Sequence, residues 1–236
     1  MSARDTIRLF QTSEHACGYW PERSARDLVL DPAAPELARL YPAALTQGFR
    51  RSGGHVYRPN CRACQACLPV RISIKDFTPN RTQRRALLKV KTWRFVDQAP
   101  EPEPGVFALY RHYLQTRHRH GGMDEAEPAD FENFIRCDWS PTRFLCAYDD
   151  QDVLRAVAVT DVTREGLSAV YTFFDPDLAQ LSLGTVSILQ QIAWAKRLGV
   201  PHLYLGFWLD GHPKMHYKRQ FSALEARIDG VWQPLT

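Results

Sequence analysis

Three cysteines within seven residues carry the most specific chemistry in this sequence: Cys61, Cys64 and Cys67. A Cys-x-x-Cys turn brings two thiolates to one metal ion, and a third cysteine at the same spacing resembles the run that holds a 4Fe–4S cluster. Zinc accepts the same ligand type in tetrahedral geometry. Either group needs a fourth ligand, for which Cys17 is the natural candidate. The simpler interpretation is three small buried hydrophobic residues near a turn.

Basic residues are concentrated between positions 81 and 94, around Trp93. Guanidinium groups match the geometry of phosphate and hold it through two hydrogen bonds. The segment therefore favours a nucleic-acid partner, although a run of charges is equally typical of a solvated helix face. The side chains that we assign to phosphate binding are Arg81, Arg84, Arg85 and Lys89.

Two further segments combine aromatic, basic and acidic side chains at predicted strand ends. Tyr171 and Asp175 stand at the end of one strand, and Asp175 precedes a proline, which is also the pattern of a simple turn. The segment Lys214–Lys218 follows a second strand and contains Lys214, Tyr217 and Lys218. Strand ends that lead into loops are common places for a binding or catalytic site. The alternative is an aromatic core edge with solvated lysines.

Local patterns predict the elements that must hold these side chains. Helices are predicted at residues 80–91, 106–118, 130–137, 183–198 and 214–221, and strands at residues 68–74, 143–148, 153–162, 167–174 and 202–206. Strands followed by helix, strand and helix indicate an α+β (α/β-like) fold with a sheet covered by helices. The proline-rich segment at residues 97–105 disfavours both helix and central strand. We therefore predict two domains, residues 1–100 and 101–236.

Composition excludes several classes of protein. The chain has 236 residues, of which 44% are hydrophobic and 24% charged, as in ordinary globular proteins. No apolar run approaches the roughly 18 residues that a membrane helix needs, and the first residues do not resemble a secretion signal. We expect a cytoplasmic protein with reduced thiols and no membrane partner. The net charge of +4 permits a nucleic-acid partner without requiring one.

Several segments together resemble the aminoacyl-tRNA–protein transferases, and most closely the bacterial aspartate/glutamate leucyltransferases. The matching segments span nearly the whole chain in order, at residues 17–21, 57–71, 79–85, 182–184, 194–196, 204–206 and 214–218. The resemblance implies a cysteine-bearing N-terminal transferase domain and an acetyltransferase-like (GNAT) C-terminal domain. Eukaryotic arginyl-transferring relatives carry Cys-Gly-Tyr-Cys where this chain has Cys17-Gly-Tyr-Trp20. The implied ligand set is therefore Cys17 with the cysteines at 61, 64 and 67.

The resemblance also implies a reaction, the transfer of leucine from its tRNA to the N-terminal amine of a protein that begins with Asp or Glu, which tags that protein for degradation. It requires no cofactor for the transfer and no DNA. On this basis Asp175, Lys214 and Tyr217 are candidate catalytic residues, and Tyr171 and Lys218 candidate substrate ligands. The segment 79–85 is assigned to tRNA phosphates. Arg58 or Arg71 is the candidate partner of the acceptor's side-chain carboxylate.

Three alternatives remain at this point. The first is an arginyl transferase with the same acceptors. The second is an acetyltransferase, but the segment Gln180–Thr185 has one glycine where acetyl-CoA enzymes have a glycine-rich pyrophosphate loop. The third is a nucleic-acid-binding metal or redox sensor, which leaves the segment Lys214–Lys218 without a task.

Overall fold

The structure, a computed structural model, describes residues 7–117, 128–135 and 137–235. Its N-terminal part is built from short strands around one helix. These elements are β1 (Leu9–Gln11), β2 (His15–Ala16), β3 (Ser24–Ala25), β4 (Asp27–Leu30), α1 (Leu37–Thr46), β5 (Arg50–Ser52) and β6 (His55–Pro59). Four of the strands form an antiparallel sheet in the order β1–β4–β6–β5, and β2 pairs with β3.

A large mixed sheet organises the rest of the chain. Its elements, with the helices between them, are β7 (Leu68–Ser73), α2 (Arg81–Lys89), β8 (Arg94–Gln98), α3 (Pro104–Arg117), α4 (Pro128–Ile135), β9 (Thr142–Tyr148), β10 (Leu154–Thr163), β11 (Gly166–Phe174), α5 (Leu183–Leu198), β12 (His202–Trp208), β13 (Leu224–Ile228) and β14 (Val231–Pro234). The strand order is β14–β13–β7–β12–β11–β10–β9–β8. The β11–β12 pair is parallel, and the other neighbours are antiparallel.

Helices cover both faces of this sheet. Along β10, Val157 and Val159 face a core with α3 and α4, whereas Ala158 faces a core with α5. This alternation follows from the two-residue period of a strand, and both sides of β10 are therefore apolar. Helix α2 packs beside α5, where Ala86 and Val186 belong to one buried cluster.

Local sequence sets the ends of the helices. Asn80 caps α2, because its side chain accepts from the N–H of Gln83 while the Gln83 side chain accepts from the N–H of Asn80. Pro104 opens α3, a position that does not need an N–H donor. Gly199 ends α5 with a φ of +68°, where the absence of Cβ removes the penalty of a left-handed conformation.

A buried ion pair joins the small sheet to the large one. Arg51 on β5 is fully buried and donates from Nε and Nη2 to the two carboxylate oxygens of Asp161 on β10, each at 2.8 Å. The hydroxyls of Tyr41 and Thr142 donate to the same carboxylate at 2.6 and 2.7 Å. With every partner satisfied, this network fixes the position of β5 against the sheet.

The structure confirms most of the predicted elements and corrects their ends. Helix α5 has the predicted bounds, and the predicted helix 106–118 begins at Pro104 and is described to Arg117, with His118 outside the described residues. The predicted helix at 214–221 is wrong in extent, because only a 3₁₀-helix at His216–Gln220 forms there. Strands β1 to β6 and the hairpin β13–β14 did not emerge from the sequence pattern.

The fold class is confirmed as mixed α/β with a large mixed sheet. The division of the chain near residue 100 stays a prediction. Strands from both sides of that point lie in one sheet, since β7 and β8 precede it and β9 to β14 follow it. Among the described helices, none has the length and apolar character that crossing a bilayer requires.

Candidate functional site

The two parallel strands of the large sheet separate soon after they meet. β11 and β12 pair at Leu167 with Leu203 and at Ser168 with Tyr204, and no later pair is found in the described chain. β12 shifts register against β7 next to Gly206, whose φ is +74°. A left-handed glycine with a register shift redirects a strand. The C-terminal halves of β11 and β12 therefore border a gap.

Arg50, from the small sheet, fills this gap. Its Nη2 donates to the carbonyl of Val170 on β11 at 3.1 Å, beyond the last pair of β11 with β12. On the other side, its guanidinium carbon lies 5.9 Å from the ring centre of Phe207 on β12. A Cβ on Gly206 would lie 2.7 Å from Nη1 of Arg50, so the glycine makes room for the guanidinium. In the described chain Arg50 forms no ion pair with a carboxylate.

Lys218 lies beside Arg50 with its ammonium group out of solvent. The side chain is 3% exposed, and Nζ donates to the carbonyl of Phe207. Burial, and then the positive charge of Arg50, lowers the pKa of Lys218 to about 7, while Cys67 acts in the opposite direction. The 3₁₀-helix His216–Gln220 thus brings Lys218 to the inner end of the gap.

Tyrosines line the other side of the gap. Tyr217 is 40% exposed. Burial of its hydroxyl raises the pKa of Tyr217 to about 12; the charge of Arg50 lowers this pKa and that of Tyr113 raises it. Tyr113 on α3 contacts Tyr171 edge-on, with ring centres 6.4 Å apart, and lies 5.0 Å from the ring of Phe174. Burial also raises the pKa of Tyr171 above its ordinary value. We call Tyr113, Tyr171 and Tyr217 the tyrosine rim.

The four candidate metal ligands line one cavity of about 350 Å³, which we call the thiol cavity. Burial, followed by the neighbouring thiols of Cys17, Cys61 and Cys64, raises the pKa of Cys67 to about 12. Among the described residues, no three of these sulfurs lie within 4.8 Å of one another. Four thiolates on one zinc, at about 2.3 Å each, would be closer than that. The predicted ligand set is therefore brought to one cavity with wider spacing than zinc imposes.

The thiol cavity lies beside the gap at β11–β12. Phe207 and Cys67 line the cavity, and they neighbour Arg50 and Lys218 respectively. Tyr19 stands at the junction, where burial raises its pKa to about 12 and the charge of Arg50 opposes that shift.

The loop after β12 holds Cys17 in place through its neighbours. His212 is buried, its Nε2 lies 3.2 Å from the carbonyl oxygen of Tyr19, and its ring contacts those of Tyr19 and Trp20 edge-on. The segment Cys17–Trp20 is thereby attached to the loop that leads to Lys218.

The two arginines predicted to hold an acceptor carboxylate differ in position. Arg58 on β6 lines the thiol cavity, with its guanidinium carbon 5.0 Å from the ring centre of Phe49. Arg71 on β7 points elsewhere, because its Nε donates to Glu225 at 2.6 Å and its guanidinium stacks 4.3 Å from the ring centre of Trp232. The structure therefore places only Arg58 at the thiol cavity.

The basic helix α2 is fastened to both loops that follow the separating strands. Asn80 and Gln83 donate to the carbonyl of Gln220 at 3.2 and 3.1 Å, next to the 3₁₀-helix that carries Lys218. Lys89 donates to the carbonyl of Gln180 at 2.6 Å, in the loop after β11. The remaining predicted phosphate ligands are exposed, namely Arg81, Arg84 and Arg85. Helix α2 thus presents guanidinium groups to solvent beside the site.

In the described residues, the other two candidate catalytic residues form no hydrogen bond with Arg50 or Lys218. Asp175 follows β11, and its carboxylate accepts from Arg155 at 2.7 Å and from the N–H of Asp177 at 3.0 Å, which starts a 3₁₀-helix. Lys214 is exposed in the turn before His216. The catalytic roles of Asp175 and Lys214 stay predictions.

Two residues of the site, Arg50 and Tyr113, carried no recognisable signal in the sequence. Arg50 belongs to a short N-terminal strand, and Tyr113 lies within a predicted helix. Tyr19 lies in the matching segment 17–21, but no role was assigned to it. Their importance depends on contacts between distant parts of the chain. The bulge glycine, Gly206, was the nearest available signal, because an isolated glycine in a strand marks a close approach of backbone or ligand.

The site combines a guanidinium between two separating strands, a buried lysine and a cysteine cavity, with exposed basic groups on helix α2.

Two family models match the chain. The one described as "Arginine-tRNA-protein transferase, N terminus" matches residues 15–85, and the one described as "Arginine-tRNA-protein transferase, C terminus" matches residues 105–228. The chain belongs to the arginine-tRNA–protein transferase family and is a transferase that uses aminoacyl-tRNA.

The similar curated relatives carry a more particular name. A protein of Stenotrophomonas maltophilia (strain K279a), named aspartate/glutamate leucyltransferase, is 56% identical over 97% of this chain and 93% of its own length. Proteins of the same name from Xanthomonas euvesicatoria pv. vesicatoria (strain 85-10) and Xylella fastidiosa (strain 9a5c) are 54% and 46% identical over 98% of this chain and 94% and 93% of theirs.

Solved structures resemble the chain more distantly. L-PGS from Bacillus licheniformis matches with a TM-score of 0.48 and 10% identity, over 76% of this chain and 52% of that one.

Proposed function

We propose that this protein transfers leucine from leucyl-tRNA to the N-terminal amine of proteins that begin with Asp or Glu. The observation that carries the proposal is Arg50, a guanidinium without a carboxylate partner in the described chain, held where β11 and β12 separate. Phe207, which it contacts, lines the thiol cavity on one side, and the charge of Arg50 acts on Tyr217 of the tyrosine rim on the other. A two-substrate transfer needs an approach for each substrate to one reacting centre, and we assign one approach to each side of Arg50.

The two sides of the cleft suit different substrates. The thiol cavity is lined by Arg58 and the amide of Asn60, which suit a polar protein terminus. The tyrosine rim offers flat aromatic surfaces, on which a nucleoside base stacks with about 1–3 kcal/mol per base. We therefore assign the protein acceptor to the thiol cavity and the leucyl end of the tRNA to the tyrosine rim.

The chemistry at Arg50 is modest, because the tRNA ester is already activated. The acceptor amine, in its neutral form, attacks the ester carbonyl. A C–N bond forms, the C–O bond to the ribose breaks, and a proton from the attacking nitrogen passes to the released ribose oxygen. The oxyanion that develops needs hydrogen-bond donors. Arg50 has N–H groups other than the one that bonds to Val170, and these can donate to it. Alignment of two bound substrates supplies effective molarities of up to about 10⁵–10⁸ M.

Lys218 and Tyr217 are assigned to the same centre. Lys218 lies beside Arg50 with a pKa of about 7, so its amine gains and loses a proton near neutral pH, and its protonated form favours the developing oxyanion. The Tyr217 hydroxyl is subject to the charges of Arg50 and Tyr113, and we assign it to donate to the ribose oxygen as that oxygen leaves. Tyr171 shapes the tyrosine rim from β11.

Helix α2 is assigned to the tRNA backbone. Its exposed guanidinium groups lie on a helix that is bonded to the loops on both sides of the cleft. Phosphate contacts of this kind position a nucleic acid without reading its bases, and they weaken as salt concentration rises. We expect leucyl-tRNA binding to lose affinity on substitution of Arg81, Arg84 or Arg85, with little change in the acceptor's KM.

The four cysteines suit a bound metal group with a structural role. Cys17, Cys61, Cys64 and Cys67 would hold it, and thiolates are the ligands that both zinc and iron–sulfur clusters accept. Their lining of one cavity is compatible with either group. Such a group would cross-link the N-terminal loops that form the thiol cavity. Metal and sulfide analysis of anaerobically purified protein tests this assignment.

We also propose that the C-terminal half has an acetyltransferase-like (GNAT) arrangement. The antiparallel run β8–β9–β10–β11, the parallel partner β12 and the flanking helices α3 and α5 support it. The helix N-terminus that would receive a pyrophosphate in such a fold is Leu183–Thr185, where Gly184 lies against the ring of Phe174.

A transfer assay tests the proposed function. The protein is incubated with a peptide that begins with Asp and with radiolabelled leucyl-tRNA or arginyl-tRNA in separate reactions. We expect label on the peptide from leucyl-tRNA alone, and none when the peptide's amine is acetylated. Label from arginyl-tRNA alone would assign the protein to arginine transfer. Absence of label from both, with peptides beginning with Asp and Glu, would overturn the proposal.

A further inference from the structure

Two arginines face one wall of the thiol cavity. Arg58 comes from β6 and Arg227 from β13, so the wall is assembled from both ends of the chain. Phe207 lines the cavity and also contacts Arg50, with the guanidinium carbon 5.9 Å from its ring centre. An anionic group between Arg58 and Arg227 would therefore lie close to the reacting centre.

Both guanidinium groups are anchored to the same residue. Arg58 donates from Nη1 to the backbone carbonyl of Gln47 at 3.2 Å, and Arg227 donates from Nη2 to the side-chain oxygen of Gln47 at 2.7 Å. Gln47 is the C-terminal cap of α1. The negative end of the helix dipole favours cations there, which holds the two arginines in place without neutralising their full charge.

The pair has no anionic partner in the described part of the protein. Neither arginine forms a salt bridge there, although Asp229 also lines the cavity from the exposed turn of the β13–β14 hairpin. Nε of Arg227 is buried and makes no hydrogen bond. Burial, and then the charge of Arg58, lowers the pKa of Arg227. Two adjacent cations of which one is partly desolvated are unfavourable until an anion joins them.

We propose that Arg58 and Arg227 together bind the side-chain carboxylate of the acceptor's N-terminal Asp or Glu, and so set the acceptor specificity. This inference rests on the proposed function. Two guanidinium groups can donate to both oxygens of a carboxylate. The side-chain amide of Asn or Gln is neutral, so it would bind the two positive charges less strongly. The acceptor's amine would then point toward Arg50 and Lys218.

Acceptor specificity tests the pair. Peptides that differ only in their first residue, Asp or Asn, are compared as leucyl acceptors for the wild type, Arg58→Met and Arg227→Met. We expect the KM for the Asp peptide to rise about 10- to 100-fold in each variant, as loss of a charged hydrogen bond implies. The KM for the Asn peptide and kcat at saturation should change little.

Controls separate the pair from general effects. Arg164→Met removes an exposed arginine from the β10–β11 hairpin, away from the cavity, and should leave both KM values unchanged. Arg58 and Arg227 lie on different strands. If one of the two variants fails to fold, the acceptor preference of the other still tests the inference. Arg227→Lys, which keeps the charge, should recover part of the preference for Asp.

Two results would overturn the inference. One is an unchanged preference for Asp over Asn in folded Arg58→Met and Arg227→Met. The other is an equal loss for both peptides. Fluorescence anisotropy can measure binding of the Asp peptide to the protein without tRNA. This measurement tests the role of Arg58 and Arg227 even if the wild type transfers no leucine. Weaker binding of the Asp peptide by the variants supports the inference there, and equal binding contradicts it.

Discussion

Replacing Gly206 with alanine should displace Arg50 from between β11 and β12. The new Cβ would lie 2.7 Å from Nη1 of Arg50, closer than real Cβ contacts, and 3.3 Å from Cζ, so the guanidinium would have to move. The backbone has a φ of +74°, so alanine adds left-handed strain of about 1–2 kcal/mol. Loss of the charged hydrogen bond to Val170 adds about 1.5–3 kcal/mol. We expect total destabilisation of about 2.5–5 kcal/mol.

Gly199 offers a matched control. It has a φ of +68° at the end of α5, and a Cβ there would meet no atom within 4 Å. Gly199→Ala therefore carries the left-handed strain of about 1–2 kcal/mol and no clash. Urea unfolding of the two variants should show Gly206→Ala to be less stable by about 1.5–3 kcal/mol.

The two variants should differ more in activity. Under conditions where both are folded, single-turnover leucyl transfer by Gly206→Ala should fall about 10²–10³-fold, the usual effect of removing one oxyanion donor. Gly199→Ala should keep the wild-type rate. If folded Gly206→Ala transferred leucine as fast as Gly199→Ala, Arg50 would have no part in the reaction, and the assignment of the cleft would be refuted.

Three further predictions concern the carboxylates of Asp161, Asp175 and Asp149. Asp161→Asn should lower the free energy of unfolding in urea by about 3–5 kcal/mol, because it leaves the buried Arg51 without its charge partner. Asp175→Asn and Arg155→Met should slow single-turnover transfer equally and by much less than the ~10²–10⁴-fold of a general base, because the two side chains are bonded to each other. Burial would raise the pKa of Asp149, but backbone N–H groups and Arg155 lower it overall, so Asp149→Asn should cost most thermal stability above about pH 4 and progressively less below.

Each of these has a clear contrary result. A loss below about 1 kcal/mol for Asp161→Asn would mean that the buried pair is dispensable. A large loss of transfer in Asp175→Asn alone would establish the base role predicted for that residue. A difference in melting temperature between wild type and Asp149→Asn that stays constant as pH falls would show that Asp149 does not contribute through its charge.

The sequence predicted those helix ends and strands whose positions depend on neighbouring residues in the chain. The apolar face of α5 and the glycine after it define both of its ends, and the same holds for Asn80 at the start of α2. The strands β9 to β11 are long, apolar and separated by turns, which also makes them recognisable. The resemblance in the sequence led to the family that the comparisons show.

The site was only partly predictable because its contacts join distant segments. Arg50 and Val170 are 120 residues apart, and nothing near Arg50 in the sequence indicates that partner. Arg71 illustrates the reverse case. It lies close to the cysteines in sequence, but β13, which did not emerge from the pattern, pairs with β7 and supplies Glu225 to it. Side-chain direction in a sheet depends on neighbours that a local pattern does not reveal.

One competition measurement tests the central claim most directly. Leucyl-tRNA and arginyl-tRNA are offered together, in equal amounts, with a peptide that begins with Asp, and the product is identified by mass and by fragmentation. The account predicts a single product that carries leucine on the α-amine of the Asp. A product that carries arginine, or leucine attached to a side chain, would contradict it.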